Sequence, residues 1–380
     1  MQRNTNLEID ILHVLTFYGT NGEYGGPMSV ALNITSKLTD LRLNSRIICG
    51  SKYKIKSSET EIESLLAIPV KSLVKKFHFS SMWSLKMGLN LCNEIKKSKI
   101  VHIHFARDLI PVVASVICLV KRKSYVVQTH GMISNQSTKF QFYFDKFITK
   151  SILRNAEIVF CLNLNEVSKL NRFKLSNTKI LGNGIEIPFE LDLKHRNSHL
   201  KVIFFSRIEK RKNLKCFIEV AELCQAFGLN YSFEIYGPDG GNLKPNLDLI
   251  ERLGLSNIVY CGSVPIGEAQ SLLSTKDVLI LPSFDEPWAM VVLEALSVGT
   301  KIIIFPSSGI ASIIQIAFPE FISAAENSLA VFQSLVQNDG LLSEKDRLKI
   351  SHFCAENFSI SAVIKRYLNM LGFSQEINFE

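Results

Sequence analysis

Short apolar runs alternate with stretches of helical periodicity along the whole chain. This arrangement predicts parallel strands joined by helices. Strands are expected at residues 9–16, 46–49, 100–105, 125–129 and 158–162, with helices over 28–38, 82–97 and 142–154. Residues 51–79 are polar and basic and carry no clear period. The alternation lapses at 182–196, where Gly, Pro and charge mix, and then resumes. Strands are expected at 202–205, 232–236, 258–261, 278–282 and 301–305, with helices at 214–226 and around 291–296. Two consecutive α/β units place the expected ligand site between them, near the carboxyl ends of strands.

Composition narrows the picture. A chain of 380 residues exceeds the usual size of one core, which favours two domains. The run 110–120 is the longest apolar stretch, far short of the ~20 residues that a membrane span requires. The first residues, MQRNTNLEID, lack the apolar core of a signal peptide. The eight cysteines are scattered, with no Cys-x-x-Cys pair, and read as small core residues of a reducing, cytoplasmic compartment. Charge is uneven. Residues 1–190 hold 26 Lys and Arg against 14 Asp and Glu; the remainder hold 17 against 21. A basic first half points to an anionic partner. Nucleic acid is not expected, because no RNA-binding or zinc-finger motif accompanies the charge. An anionic membrane surface, or a phosphate-bearing acceptor, fits better. Lysines around Phe77, Phe79, Met82, Trp83, Leu85 and Met87 in 71–99 suit an interfacial segment. The plainer reading makes 82–97 an ordinary helix packed on the first sheet.

Candidate chemistry concentrates in LPSFDEPWAMVVLEALSVG. Pro287 suits the first turn of a helix. Glu286 would then stand at the helix mouth beside free amides of Trp288, Ala289 and Met290. Glu294 lies eight residues on, about 12 Å along a helix. The two carboxylates could meet the sugar and ribose hydroxyls of one nucleotide sugar. In FSRIEKRKNL, Arg207 and Lys212 follow a strand and precede a helix. One fork donor and one mobile ammonium suit a diphosphate; Lys210 and Arg211 are read as solvated. Gly25-Gly26-Pro27 follows the first strand and opens a helix, where glycine permits close approach to phosphate. His130 ends a strand in THGM. His102 and His104 in VHIHF are read as facing opposite sides of their strand, with one buried and His104 the weaker site candidate. No Asp-x-Asp occurs to hold a divalent cation.

EPWAMVVLEALSVG resembles the Glu-x7-Glu signature of family-four glycosyltransferases. YGGPMSV, VHIHF, THGM, NGIEI, FSRIEKRKNL, YGPDGG and FSISAVIKRYL agree in order. The resemblance implies an α/β GT-B fold, two Rossmann-like domains facing across a cleft. It divides the chain into an acceptor-side domain (1–190), a nucleotide-sugar domain (191–357) and a C-terminal helix (358–380) returning to the first. It further implies retaining transfer from a nucleotide-diphosphate sugar without metal or other cofactor, in the manner of bacterial polysaccharide assembly. The acceptor would be a saccharide, carried on a lipid. By the resemblance Glu286 and His130 serve the transferred sugar, and Arg207, Lys212, Glu294, Gly25, Gly26, Trp288, Ala289 and Met290 serve the donor. Ala289 stands where the family often has glycine, which bears on sugar choice. An epimerase or phosphorylase of the same fold, or a non-catalytic sugar-nucleotide binder, is the rival reading.

Overall fold

The computed structural model describes residues 9–18, 25–53, 64–74, 79–133, 138–188, 199–265, 267–337 and 342–373. The chain divides into two compact units. The first comprises Met1–Gly184 with Val363–Glu380, and the second Ile185–Ala362. The division between Gly184 and Ile185 falls inside 182–196, the stretch where the alternation lapses.

The strands of the first unit are β1 (Ile9–Tyr18), β2 (Ser45–Ser51), β3 (Leu65–Pro69), β4 (Lys71–Ser72), β5 (Met82–Trp83), β6 (Ser98–His104), β7 (Tyr125–Gln128), β8 (Val159–Cys161) and β9 (Thr178–Ile180). Seven of them form one sheet in the order β3-β2-β1-β6-β7-β8-β9, and every pairing in it is parallel. Strands covered on both faces read as continuous apolar runs, which is why β1, β6 and β7 stand out in the sequence. β3 and β9 lie at the edges, and neither is apparent from periodicity. β4 and β5 make a separate antiparallel ribbon. The apolar run 110–120 forms the helix Leu109–Lys121, whose Ile110, Val112, Ala114 and Cys118 enter the core. Among the described residues, no helix is long and apolar enough to cross a membrane.

In the segment 71–99 the part read as an ordinary helix packs on the first sheet, and the Lys71–Phe79 end on which the interfacial reading rests lies partly outside the described residues. Its helix starts at Leu85, capped by Ser84, whose side chain accepts from the Met87 amide at 3.2 Å. Met82 and Met87 belong to the core, and Phe79 packs on Phe17. Leu85 and Leu89 face solvent. Lys75, Lys76 and Phe77 lie outside the described residues.

The second unit carries β10 (Leu200–Phe205), β11 (Tyr231–Tyr236), β12 (Ile258–Gly262), β13 (Val278–Leu281) and β14 (Lys301–Ile304). Their order is β12-β11-β10-β13-β14, again with every pairing parallel. The helix Leu214–Ala226 occupies the span its periodicity predicts and buries Phe217 between Phe204 and Phe233. Strand order reverses between β1 and β6 in the first unit and between β10 and β13 in the second. Open α/β sheets bind ligands at such switch points, outside the carboxyl ends of the strands.

Candidate functional site

In the second unit both loops at the switch point carry the residues that the sequence singles out. The chain leaving β10 passes Arg207 and makes a 3₁₀ turn over Lys210–Lys212. The chain leaving β13 passes Phe284 and Glu286. A backbone bond, from the Phe284 amide to the Arg211 carbonyl at 3.0 Å, fastens one loop to the other. The Glu286 side chain is 7% exposed, and its Oε2 accepts from Lys212 Nζ and, at 2.9 Å, from Arg211 Nη1. Arg211 also reaches Glu209 at 3.2 Å. It is therefore not the solvated bystander expected from the sequence. A buried carboxylate requires paired charge, and two adjacent cations supply it here. Arg207 is exposed and makes no side-chain ion pair among the described residues. An exposed guanidinium beside this switch point is available to an anion.

The third wall is YGPDGG. Gly237 has φ +138, and a Cβ there would fall 1.9 Å from the Ser206 carbonyl oxygen. Only glycine lets this loop close on the strand end that carries Arg207. The Asp239 carboxylate accepts from the amides of Gly241, Asn242 and Leu243 at 2.7–3.1 Å, and these bonds pull its pKa below the ordinary value.

The helix with the Glu-x7-Glu spacing starts later than Pro287 suggests. It spans Met290–Ser297, with Ala289 in an extended conformation at its N-cap. The Gly309 amide bonds the Glu286 carbonyl at 2.7 Å, and Asp285 takes φ +46, so 285–289 follow an irregular path. Glu286 thus lies four residues ahead of the first helical residue, Met290. The amides of Trp288, Ala289 and Met290 make no hydrogen bond among the described residues, as a helix mouth leaves them. The Trp288 ring turns inward, 7% exposed and edge-on to Phe358 at 6.0 Å. Ala289 is buried as well. Glu294 is half-buried, and its carboxylate has no hydrogen-bond or ion-pair partner among the described residues. Burial raises its pKa above the ordinary value. A site evolved for stability alone would not leave a carboxylate so placed.

In the first unit the switch point holds histidines. His13 on β1 lies opposite His102 on β6 in register. His102 and His104, two residues apart, project from the same face of β6, because side chains repeat every second residue along a strand. Their rings stack with centroids 4.5 Å apart. The expectation of opposite faces is therefore wrong, and both are buried. His104 Nε2 lies 3.0 Å from His13 Nδ1, and His104 Nδ1 lies 2.7 Å from His130 Nε2. His13 Nε2 and His102 Nε2 have no hydrogen-bond partner among the described residues. Burial lowers the pKa of His13 to about 3 and holds His102 and His104 well below the ordinary value. The rings are therefore neutral.

A buried N–H without an acceptor is worse tolerated than a bare lone pair. His13 Nε2 accordingly keeps its lone pair. His13 Nδ1–H then donates to His104 Nε2, His104 Nδ1–H donates to His130 Nε2, and His130 carries its proton on Nδ1. His130 itself sits at φ +50, followed by Gly131 at φ +72. Glu166 fixes this turn. Its carboxylate accepts from Thr129 Oγ1 and the Gly131 amide at 2.5 Å and from the Leu162 amide at 2.7 Å. The sequence reading missed Glu166. Its one signal is the spacing from the helix cap Asn163, since an Asn followed three residues later by Glu marks a helix start.

His13, His102 and His104 each offer a ring nitrogen within 4.8 Å of the others. A transition metal would have to lie in each ring plane, about 2.0–2.1 Å from its nitrogen. The rings of His102 and His104 are 16° from parallel and stacked, so no single point meets both conditions. The cluster orients His130 and, in this arrangement, is not a metal cage. Gly25 and Gly26 form the first turn of the helix Gly25–Asp40, earlier than expected, and not a turn before it.

Two parallel-sheet units with site loops at both switch points define a GT-B fold. Residues 190–335 match the family described as Glycosyl transferases group 1. An uncharacterized glycosyltransferase, MJ1607, of Methanocaldococcus jannaschii is 26% identical over 164 residues, covering 40% of this chain and 42% of that protein. An uncharacterized 41.2 kDa protein in the cps region of Klebsiella pneumoniae is 25% identical over 191 residues, covering 48% and 46%. The chain thus aligns with less than half the length of these curated relatives. The crystal structure of Anabaena HepE in complex with UDP and glucose superposes with TM-score 0.72 at 14% identity, over 96% of this chain and 100% of that one.

Proposed function

We propose that the protein is a glycosyltransferase. It moves a hexose from a nucleotide-diphosphate sugar to a saccharide acceptor, with retention and without a metal, in cell-surface polysaccharide assembly. The observation that carries this reading is Glu286, buried against Lys212 and Arg211 at a switch point whose first loop also carries the exposed Arg207. The match to group 1 glycosyl transferases, the UDP and glucose of HepE, and the cps-region relative support it. In this reading Arg207 and Lys212 hold the diphosphate, and Arg211 keeps Glu286 neutralised when Lys212 turns to phosphate. Glu286 and the amides of Trp288, Ala289 and Met290 orient the sugar and meet developing charge. His130 offers Nδ1–H to a sugar hydroxyl or phosphate oxygen. The leaving diphosphate takes the acceptor proton, so no protein nucleophile is needed. The acceptor saccharide is carried on a lipid.

A panel of UDP-, GDP- and ADP-sugars tests the reading. One donor should raise the Tm and yield free nucleotide diphosphate when an acceptor is present, and EDTA should leave turnover intact. Isomerised sugar without nucleotide release would favour an epimerase, and binding without turnover a non-catalytic role.

Glu294 gives a sharper test. In this reading its carboxylate binds the ribose diol. Its raised pKa means that the fold penalises the charged form above the unfolded-state pKa, so Glu294→Gln removes the penalty at neutral pH. The variant should melt at the same temperature or higher while its donor KM rises roughly ten-fold and kcat changes little. A fall in Tm with unchanged KM would make Glu294 structural.

A further inference from the structure

We propose that the groove between the helix Gly25–Asp40 and the amino ends of β2 and β3 is a second ligand site, which takes a neutral saccharide. The groove has a volume of about 640 Å³, within the ~300–1,000 Å³ of small-molecule sites. Ser45 and Arg46 begin β2, and Ser64 stands just before β3. The switch point with its histidines lies at the other end of the sheet, past the carboxyl ends of the strands. β2 alone spans seven residues, about 20 Å. A sugar in the groove is therefore out of reach of that switch point, and the groove anchors a saccharide chain without reacting with it.

The lining comes from two elements that the fold packs together. Asn33, Ser36 and Asp40 are spaced by three and four residues and so share one face of the helix. Ser45, Arg46 and Ser64 complete the polar lining. Ser45 is buried, and its Oγ lies 3.2 Å from Thr35 Oγ1, which fixes a polar floor. The side chains of Asn33, Ser36 and Ser64 have no hydrogen-bond partner among the described residues. Leu32 and Leu43 are half-buried in the same lining.

The charges select the ligand. Both charged side chains of the groove are already compensated, Arg46 by Glu94 at 2.7 Å and Asp40 by Lys37 at 3.4 Å. A phosphate or carboxylate calls for an uncommitted cation, and the groove has none among the described residues. What it leaves unpaired is one amide and two hydroxyls, groups that both donate and accept. Sugar hydroxyls also do both, so each can be met in either sense. Leu32 and Leu43 supply apolar surface for the C–H face of a pyranose ring. No aromatic side chain lines the groove, which disfavours a stacked nucleobase. The proposal concerns binding alone and stands whether or not the chain transfers sugar.

Saturation-transfer NMR on the full chain tests it, with maltose, cellobiose and lactose as probes, and glucose and glucuronate as a matched neutral and anionic pair. At least one disaccharide should give a saturable signal with a Kd in the millimolar range, and glucose should bind at least as well as glucuronate. Asn33→Ala/Ser36→Ala should weaken disaccharide binding at least ten-fold, since each hydrogen bond lost is worth about a factor of five. Alanine favours helix, so this variant should melt no lower than the parent, and unfolding cannot account for the loss. Ser36→Phe, which fills the groove with a ring, should abolish the signal. His130→Ala, at the opposite end of the sheet, should keep it. The proposal is overturned if no disaccharide binds, or if glucuronate binds more tightly than glucose. It is equally overturned if the groove variants bind like the parent, or if His130→Ala removes the signal. Nucleotide release from a donor sugar is measured separately, and neither result depends on the other.

Discussion

Lys212→Met should leave a folded protein with turnover reduced at least 10- to 100-fold and a Tm lower by roughly 5–10 °C. Both effects come from one ammonium. Its charged hydrogen bond to a donor diphosphate is worth about 1.5–3 kcal/mol. Its absence also leaves Glu286, 7% exposed, with Arg211 alone. Removing one partner of a buried pair costs about 3–5 kcal/mol; with Arg211 still present, about 2–3 kcal/mol is expected. Each kcal/mol lowers the Tm by about 2–4 °C in a domain of this size. The double variant Lys212→Met/Glu286→Gln separates the two effects, because a neutral amide needs no cation. It should recover most of the Tm and none of the activity. Calorimetry and a nucleotide-release assay on the two variants decide the matter. A double variant as unstable as the single one would refute the pairing, and a fully active single variant would refute the diphosphate role.

Acidification should unfold the first unit well before carboxylates titrate. His13, His102 and His104 are buried and neutral, with pKa values far below 6.5. The unfolded chain therefore binds more protons than the folded one between pH 6.5 and about 3, and stability falls as pH falls through that window. Each such histidine forfeits about 1.4 kcal/mol per pH unit below 6.5, so at pH 5 the three together forfeit about 6 kcal/mol. This is comparable to the whole stability of a domain. Tm measured from pH 7.5 to 5 should drop steeply, and His102→Phe should flatten the slope by about one proton. A Tm independent of pH over this range would mean that the histidines are charged or hydrated in the fold.

The residues of the second unit's candidate site are readable in sequence because β10 and β13 are short apolar runs with charged residues just past their ends. Arg207, Lys212 and Glu286 announce themselves by chain position. What joins Lys212 to Glu286 across a separation of 74 residues is the strand order, which periodicity does not encode. The helix starts later than Pro287 suggests: proline is compatible with a first turn, but a tertiary bond from the Gly309 amide holds the Glu286 carbonyl elsewhere. In sequence Arg211 is one more position in a basic run; only the loop from β13 gives it a carboxylate partner. The histidine cluster and Glu166 were illegible for a related reason. Each histidine alone is an ordinary core residue, and their hydrogen bonds join β1, β6 and the turn after β7.

The first unit closes only with chain that follows the second. Tyr367 is fully buried in it, with its hydroxyl 2.8 Å from His102 Nδ1 and its ring 5.6 Å from Phe160. On the ribosome, where domains generally fold as they emerge at about 5–20 residues per second, the order of completion is therefore inverted. The second unit, continuous from Ile185 to Ala362, has its whole sequence while the first still waits with an open slot over His102 and Phe160. Until Tyr367 emerges the earlier-made half remains the vulnerable one, and chaperones or proteases that meet the nascent chain would find their substrate there.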